Sequence, residues 1–296
     1  MPGKLYVVAT PIGNSADITQ RAKNVLAEVD IVAAEDTRTT QKLLHMLGIQ
    51  NKTVSNHKFN EKKQSAYLIS ELLQNKDIAI VSDAGTPCIS DPGNVIVKSA
   101  VENGIDVIGV CGASSVITAL SISGFSFVAF SFHGFFPREN KEIRETFQTI
   151  KNSGTAVSVF FESPKRIKKT MNRIAEELPD SEICLCNDLT KFYEKTYRGT
   201  PQNVFDALTD NPSAEKGEYT LVIYTQKPMT QKLNEQEQSQ DTAISCEALL
   251  VDYNVKHGGS MKDAIQAMQE AHKGQISKKE FYAAALNVKK LLANHA

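Results

Sequence analysis

Short apolar runs alternate with amphipathic segments along the first 130 or so residues. Leu5-Tyr6-Val7-Val8-Ala9 reads as a buried strand, and the polar turn Thr10–Asp17 follows it. Ile18, Ala22, Val25, Leu26 and Val29 then recur at helical spacing. Asp30–Ala34 is the next strand, and Thr39–Leu47 a helix closed by Gly48. A short strand near Val54, a helix over Lys62–Gln74, the strand Ile78–Val81, the helix Asn94–Glu102 and the strand Asp106–Val110 continue the pattern. Another helix opens after Cys111-Gly112-Ala113-Ser114-Ser115. Strands alternating with helices in this way predict an α/β fold with a mainly parallel, open sheet.

A second module is expected from about Pro137 to Gln226. Its elements are a helix Lys141–Lys151, a strand Thr155–Phe161, a helix Lys165–Leu178, a strand Ile183–Cys186, a strand ending at Tyr197-Arg198-Gly199, a short helix Asn203–Leu208 and a last strand Tyr219–Thr225. The boundary is placed at His133–Pro137, giving domains 1–133 and 134–226. Residues 227–241 are rich in Gln, Glu and Lys without periodicity and read as a linker. Residues 242–296 read as a helical tail: Ile244–His257, Met261–Ala271 and Lys278–Leu292, with Ser277 and Glu280 as a capping box.

Composition narrows the function classes. The 296-residue chain is 41% hydrophobic, enough for real cores, and its formal net charge of −1 gives no global footprint for nucleic acid. Any basic surface must be local. The five Cys show no metal-ligand spacing, and Cys184-Leu185-Cys186 fits alternating strand positions. No signal peptide and no membrane-length apolar run is seen, so a cytoplasmic, soluble protein without metal is expected.

In open α/β sheets, ligands sit outside the carboxyl ends of the strands. The polar clusters Thr10–Asn14, Glu35–Arg38, Val81–Gly93 and Gly112–Ser115 all follow strands and should converge on one rim. The rim has no G-x-G-x-x-G after the first strand, no P-loop and no G-x-S-x-G elbow. Neutral loops with several carboxylates and few cations suit a polar cofactor without a phosphate chain. From the residues alone, the reading stops at an α/β enzyme with a small cofactor at the strand ends.

Three strings, Val8–Asn14, Ala34–Arg38 and Val81–Gly93, resemble the ribosomal RNA small-subunit methyltransferase I family of the tetrapyrrole methylase superfamily, class III S-adenosylmethionine-dependent methyltransferases. His57–Glu61, Phe135–Pro137, Phe161–Arg166, Leu189–Lys191 and Lys216–Glu218 follow in the family's order, so the resemblance covers nearly all of residues 4–226. It implies two α/β domains with the cofactor cleft between them, a homodimer, and 2′-O-methylation of a cytidine ribose in the decoding region of 16S rRNA within the small ribosomal subunit. The helical tail is similar to a helix-turn-helix-like appendage of many members. Cys111–Ser115, Lys165 and Asn187-Asp188 depart from the family pattern.

The resemblance assigns cofactor binding to Pro11, Asp83, Ala84, Gly85, Thr86, Ile89, Ser114, Ser115, Phe161 and Leu189. A loop-capping turn is the plainer role for Asp83, and a helix cap for Ser114. A proton acceptor for the ribose hydroxyl is sought among Asp36, Glu35 and His57, against an internal Asp36–Arg38 ion pair. Arg38, Asn60, Glu61, Arg166 and Lys191 are candidate RNA contacts, with Lys58, Lys62, Lys63, Arg138, Lys141, Lys165, Lys168 and Lys169 as further cations. Phe135, Phe136 and Tyr193 are candidates to stack on an extruded base. Two rival readings remain: a methyltransferase acting on a precorrin-type tetrapyrrole, and a non-catalytic ribosome-binding factor.

Overall fold

The structure is a computed structural model that describes residues 1–225, 245–272 and 276–293. The expected linker, residues 227–241, lies outside the described residues. Residues 1–226 form one compact unit and 227–296 another.

The first unit is built on two sheets. Strands β1 (Leu5–Val8), β2 (Ile31–Ala34), β3 (Thr53–Ser55), β4 (Ile78–Val81) and β5 (Val107–Val110) make a sheet of order β3-β2-β4-β1-β5 in which every pairing is parallel. Helices α1 (Gln20–Glu28) and α2 (Thr37–Met46) cover one face, where Ala22, Leu26 and Leu44 pack on Val8, Val32 and Val81. Helices α3 (Glu61–Leu73) and α4 (Asn94–Glu102) cover the other, where Leu68, Leu72 and Ile96 meet Leu5, Ile31 and Ile80. Burial on both faces explains the nearly continuous apolar runs of the central strands. Helix α2 starts two residues before its expected start, because Asp36 caps it by accepting from the Arg38 amide at 2.8 Å.

The second sheet takes β6 (Phe130–Phe135), β7 (Val157–Glu162), β8 (Glu182–Asn187), β9 (Lys195–Gly199) and β10 (Tyr219–Tyr224) in the order β6-β7-β10-β8-β9. Strands β6 and β7 run parallel; the other pairs are antiparallel. Helices α6 (Asn140–Lys151), α7 (Ile167–Glu177) and α8 (Pro201–Thr209) form a core with one face. The other face packs on α5 (Ser115–Ser121), the last helix of the first half, through Val116, Ala119 and Leu120. Strand β6 spans the boundary placed at His133–Pro137 and pairs with β7, so the chain changes sheets before Phe130. Its register breaks between Phe132 and Phe135, and Gly134 at φ +70° interrupts the alternation that would have marked a strand.

The second unit has helices α9 (Cys246–His257), α10 (Met261–Ala271) and α11 (Lys278–Ala293) around Leu250, Ala264, Ile265 and Phe281. Ser277 and Glu280 exchange the expected cap bonds: the Ser277 amide donates to Oε2 of Glu280 at 2.7 Å, and the Glu280 amide to Oγ of Ser277 at 3.4 Å. Among the described residues, no helix is long and apolar enough to cross a membrane.

Candidate functional site

The loops after β1, β2, β4 and β5 meet at the carboxyl edge of the first sheet and form one side of a cleft of about 890 Å³. The loop Val81–Gly93 supplies most of that side: Asp83, Ala84, Gly85, Thr86 and Ile89 line the cleft, with Ser90 and Asp91 beyond them. Its shape is fixed from below. The Thr10 amide donates to the Gly85 carbonyl at 2.9 Å and the Gly85 amide to the Thr10 carbonyl at 3.1 Å, while Oγ1 of Thr10 donates to the Ser82 carbonyl. Gly85 holds φ +81°, a conformation that costs a side chain about 1–2 kcal/mol. Ser114 and Ser115 stand at the start of α5, and Oγ of Ser114 also caps that helix at 3.4 Å from the Ile117 amide. Its capping and lining roles coexist.

The cleft is acidic. Glu35, Asp83 and Asp91 line it; Glu162 and Glu218 line it too, but each in an ion pair, with Arg166 and Lys191, and no Lys, Arg or His lines it among the described residues. Burial first, then the charges of Asp91 and Asp83, raise the pKa of Glu35. Burial is also the main cause of the upward shifts of Asp83 and Asp91. Asp36 behaves oppositely. Its carboxylate takes the Arg38 guanidinium at 2.6 Å, and that hydrogen bond holds its pKa down to about 2. Asp36 faces its ion partner and does not line the cleft.

The second half supplies the opposite wall. Phe130, Phe132 and Phe135 of β6, Phe161 and Glu162 of β7, and Glu218 to Thr220 at β10 line it. Leu189 also lines it, on a loop where Asp188 and Thr190 are both left-handed, at φ +51° and +67°. Lys191 braces that loop at 2.9 Å from both Asp188 and Glu218, and Gly13 packs against its side chain so closely that a Cβ there would clash.

Of the residues expected to bind a cofactor, all but Pro11 line the cleft; its neighbour Ile12 does. Of the expected proton acceptors, only Glu35 does. His57 lies in the β3–α3 loop, where Nδ1 accepts from the Phe59 amide at 3.2 Å. The expected RNA contacts are mostly engaged within the chain. Oδ1 of Asn60 accepts from the His57 amide, Glu61 caps α4 through the Gly93 and Val95 amides, and Arg166 donates to Glu162 and the Phe136 carbonyl. Phe136 is core, 2% exposed, whereas Phe135 is 61% exposed at the cleft. Asp91, Phe130 and Phe132 were missed, whereas Phe135 was among the expected aromatics. Asp91 shares a loop with Asp83, which was the available signal; Phe130 and Phe132 fell outside every expected strand.

Residues 4–204 match the model of the tetrapyrrole (corrin/porphyrin) methylases. The chain is 42% identical over 221 residues to ribosomal RNA small subunit methyltransferase I of Halalkalibacterium halodurans, covering 75% of each chain. It is 38% identical over 282 residues to the protein of that name in Bacillus subtilis, covering 95% of this chain and 94% of the relative. A crystal structure of uroporphyrin-III C-methyl transferase from Thermus thermophilus, complexed with S-adenyl homocysteine, has the same fold. It matches with TM-score 0.52 and 13% identity over 75% of this chain and 97% of that one. With its two packed sheets, its cleft at the strand ends and these relatives, the chain belongs to the tetrapyrrole methylase family and to the family of ribosomal RNA small subunit methyltransferase I.

Proposed function

We propose that the protein uses S-adenosylmethionine to methylate the 2′-oxygen of a cytidine ribose in the decoding region of 16S rRNA, within the small ribosomal subunit, as a cytoplasmic homodimer. The observation that carries the reading is a cleft walled by carboxylates and neutral loops, without a cation among its described lining residues. Such walls suit a ligand carrying a sulfonium and an ammonium, and they disfavour a phosphate chain. When bound, S-adenosylmethionine supplies an electrophilic methyl on a good leaving group. The names of the relatives point to ribosomal RNA as the acceptor.

The chain's own residues then divide the work. Asp83 to Thr86 and Ile89 hold the amino-acid and ribose portions of the cofactor, with Ser114 and Ser115 beside them. Phe161 and Leu189 close over it from the second half and exclude water. Glu35 takes the proton of the 2′-hydroxyl. Its raised pKa makes it a stronger base than an ordinary carboxylate, and general-base help of this kind contributes about 10²–10⁴-fold. Asp36, tied to Arg38, organises the start of α2.

The test incubates small subunits from a strain lacking the protein with labelled S-adenosylmethionine and the purified chain. Nucleoside digestion and mass spectrometry then locate the label. A 2′-O-methylcytidine from the decoding region is the expected product. Absence of label with cofactor binding intact would overturn the reading and turn attention to tetrapyrrole substrates.

A further inference from the structure

The β3–α3 loop carries an aromatic ring into solvent among unpaired cations. Phe59 is 95% exposed. Lys58, Lys62 and Lys63 surround it in sequence and are exposed, and none forms an ion pair among the described residues. The one acid of the segment is turned away: Oε1 of Glu61 accepts from the Gly93 amide at 2.6 Å and the Val95 amide at 3.2 Å. What the segment offers outward is therefore positive and aromatic, on a chain whose net charge is −1.

The loop is also built to hold that shape. The His57 amide donates to Oδ1 of Asn60 at 2.8 Å, the Asn60 amide to the His57 carbonyl at 2.9 Å, and Nδ2 of Asn60 to the Ser55 carbonyl at 3.1 Å. The His57 ring meets that of Phe59 edge-on at 6.1 Å. Through Glu61 the loop is bonded to Gly93, the last residue of the loop that walls the cleft. A ligand held here lies beside the cleft wall.

We propose that segment 57–63 docks a single-stranded stretch of RNA next to the target nucleotide, with one base stacked on Phe59 and phosphates held by Lys58, Lys62 and Lys63. RNA as the polyanion rests on the proposed methyltransferase reading; the local charge and ring supply the rest. A ring face takes an unpaired base of any sequence, whereas a paired base offers no face to it. The lysines add a sequence-independent, salt-sensitive grip.

The test measures binding of the full-length protein to small ribosomal subunits lacking the modification, over a salt series, with methyl transfer and cofactor binding followed in parallel. Phe59→Ala should weaken binding about tenfold with an unchanged salt slope, and Phe59→Tyr should bind like the wild type. The triple variant Lys58→Gln, Lys62→Gln, Lys63→Gln should lower the slope of log affinity against log salt by roughly 2. Unchanged cofactor affinity in each variant shows an intact fold; should the triple variant lose it, the Phe59 pair decides. Wild-type affinity and slope in Phe59→Ala and in the triple variant would overturn the proposal. So would a change in self-association without a change in subunit binding, which would give the segment to a second copy of the chain. If the binding effects appear but no methyl is transferred, the dock stands and the reading of the reaction falls.

Discussion

Thr10 and Gly85 exchange two backbone hydrogen bonds, at 2.9 and 3.1 Å, and so join the loops that follow β1 and β4. The pair sets the floor of the cleft. Gly85 needs its left-handed φ of +81° to make it. A Cβ at Gly85 meets Ile12 at 3.4 Å and the Ala113 carbonyl at 3.8 Å, so the cost of a side chain is conformational rather than steric. Gly85→Ala should lose about 1–2 kcal/mol of stability and weaken the cofactor about tenfold. Calorimetric titration and thermal melting check both.

Glu35 and Asp36 are neighbours with opposite fates, and kinetics should separate them. Glu35→Gln should lower kcat by about 10²–10⁴-fold and also weaken the cationic cofactor, whereas Asp36→Asn should cost less than about tenfold in kcat. With Glu35 as base, kcat should rise with pH through its raised pKa and then level off. Asp36, at about 2, stays ionised across that range. A Glu35→Gln profile that keeps the same rise would exclude Glu35 as the group being titrated.

The same shift has a stability consequence. A carboxylate whose folded pKa is raised destabilises the fold once ionised and costs nothing while protonated. In the ligand-free protein, Glu35→Gln should therefore raise the melting temperature above the folded pKa. The gain should vanish as pH falls toward the ordinary value of 4.5. Asp36 contributes the other way: its stabilisation is present above the ordinary 3.8 and is lost as pH drops through about 2. Melting curves of both variants from acid to neutral pH read the two signs.

Glu162 has a side chain with no exposure and is satisfied by the Ser163 amide, Thr170 and Arg166. Arg166→Met leaves that carboxylate without its counter-charge and should cost about 3 kcal/mol. Adding Glu162→Gln to that variant should restore part of the loss, because the remaining group is neutral. Denaturant titration of the single and double variants measures the coupling.

Leu189 and Thr190 sit side by side on a strained loop and should respond differently. Leu189 is 5% exposed in the core between α5 and the second sheet. Leu189→Ala should cost about 2–3 kcal/mol and loosen the cofactor. Thr190→Gly should change stability by less than about 0.5 kcal/mol, since relief at φ +67° offsets the greater freedom of the unfolded chain.

The alternation of strands and helices was legible because each central strand is buried on both faces and each helix on one. The end caps Ser114, Ser277 and Glu280 were legible for a local reason: they act within three residues of themselves. Strand β6 was not, because Gly134 and a register break hide its alternation. The loops that wall the cleft could be placed from sequence, since loops that follow parallel strands must reach one edge. Which way a polar side chain turns could not. Glu61, Arg166 and Lys191 stand in motifs that flank the cleft, yet each is spent on a partner brought near only by the fold: Gly93, the Phe136 carbonyl and Glu218. Spacing in a sequence locates a residue beside a site; it does not give the direction of its bonds.

The acidic lining of the cleft bears on turnover as well as on binding. S-adenosylmethionine enters as a sulfonium and leaves as a neutral thioether, having shed one positive charge. Walls that carry Glu35, Asp83 and Asp91 and no cation among their described residues attract what arrives more strongly than what remains. On the proposed reading, the same carboxylates that are costly to keep ionised in the ligand-free protein hold the fresh cofactor more tightly than the spent one.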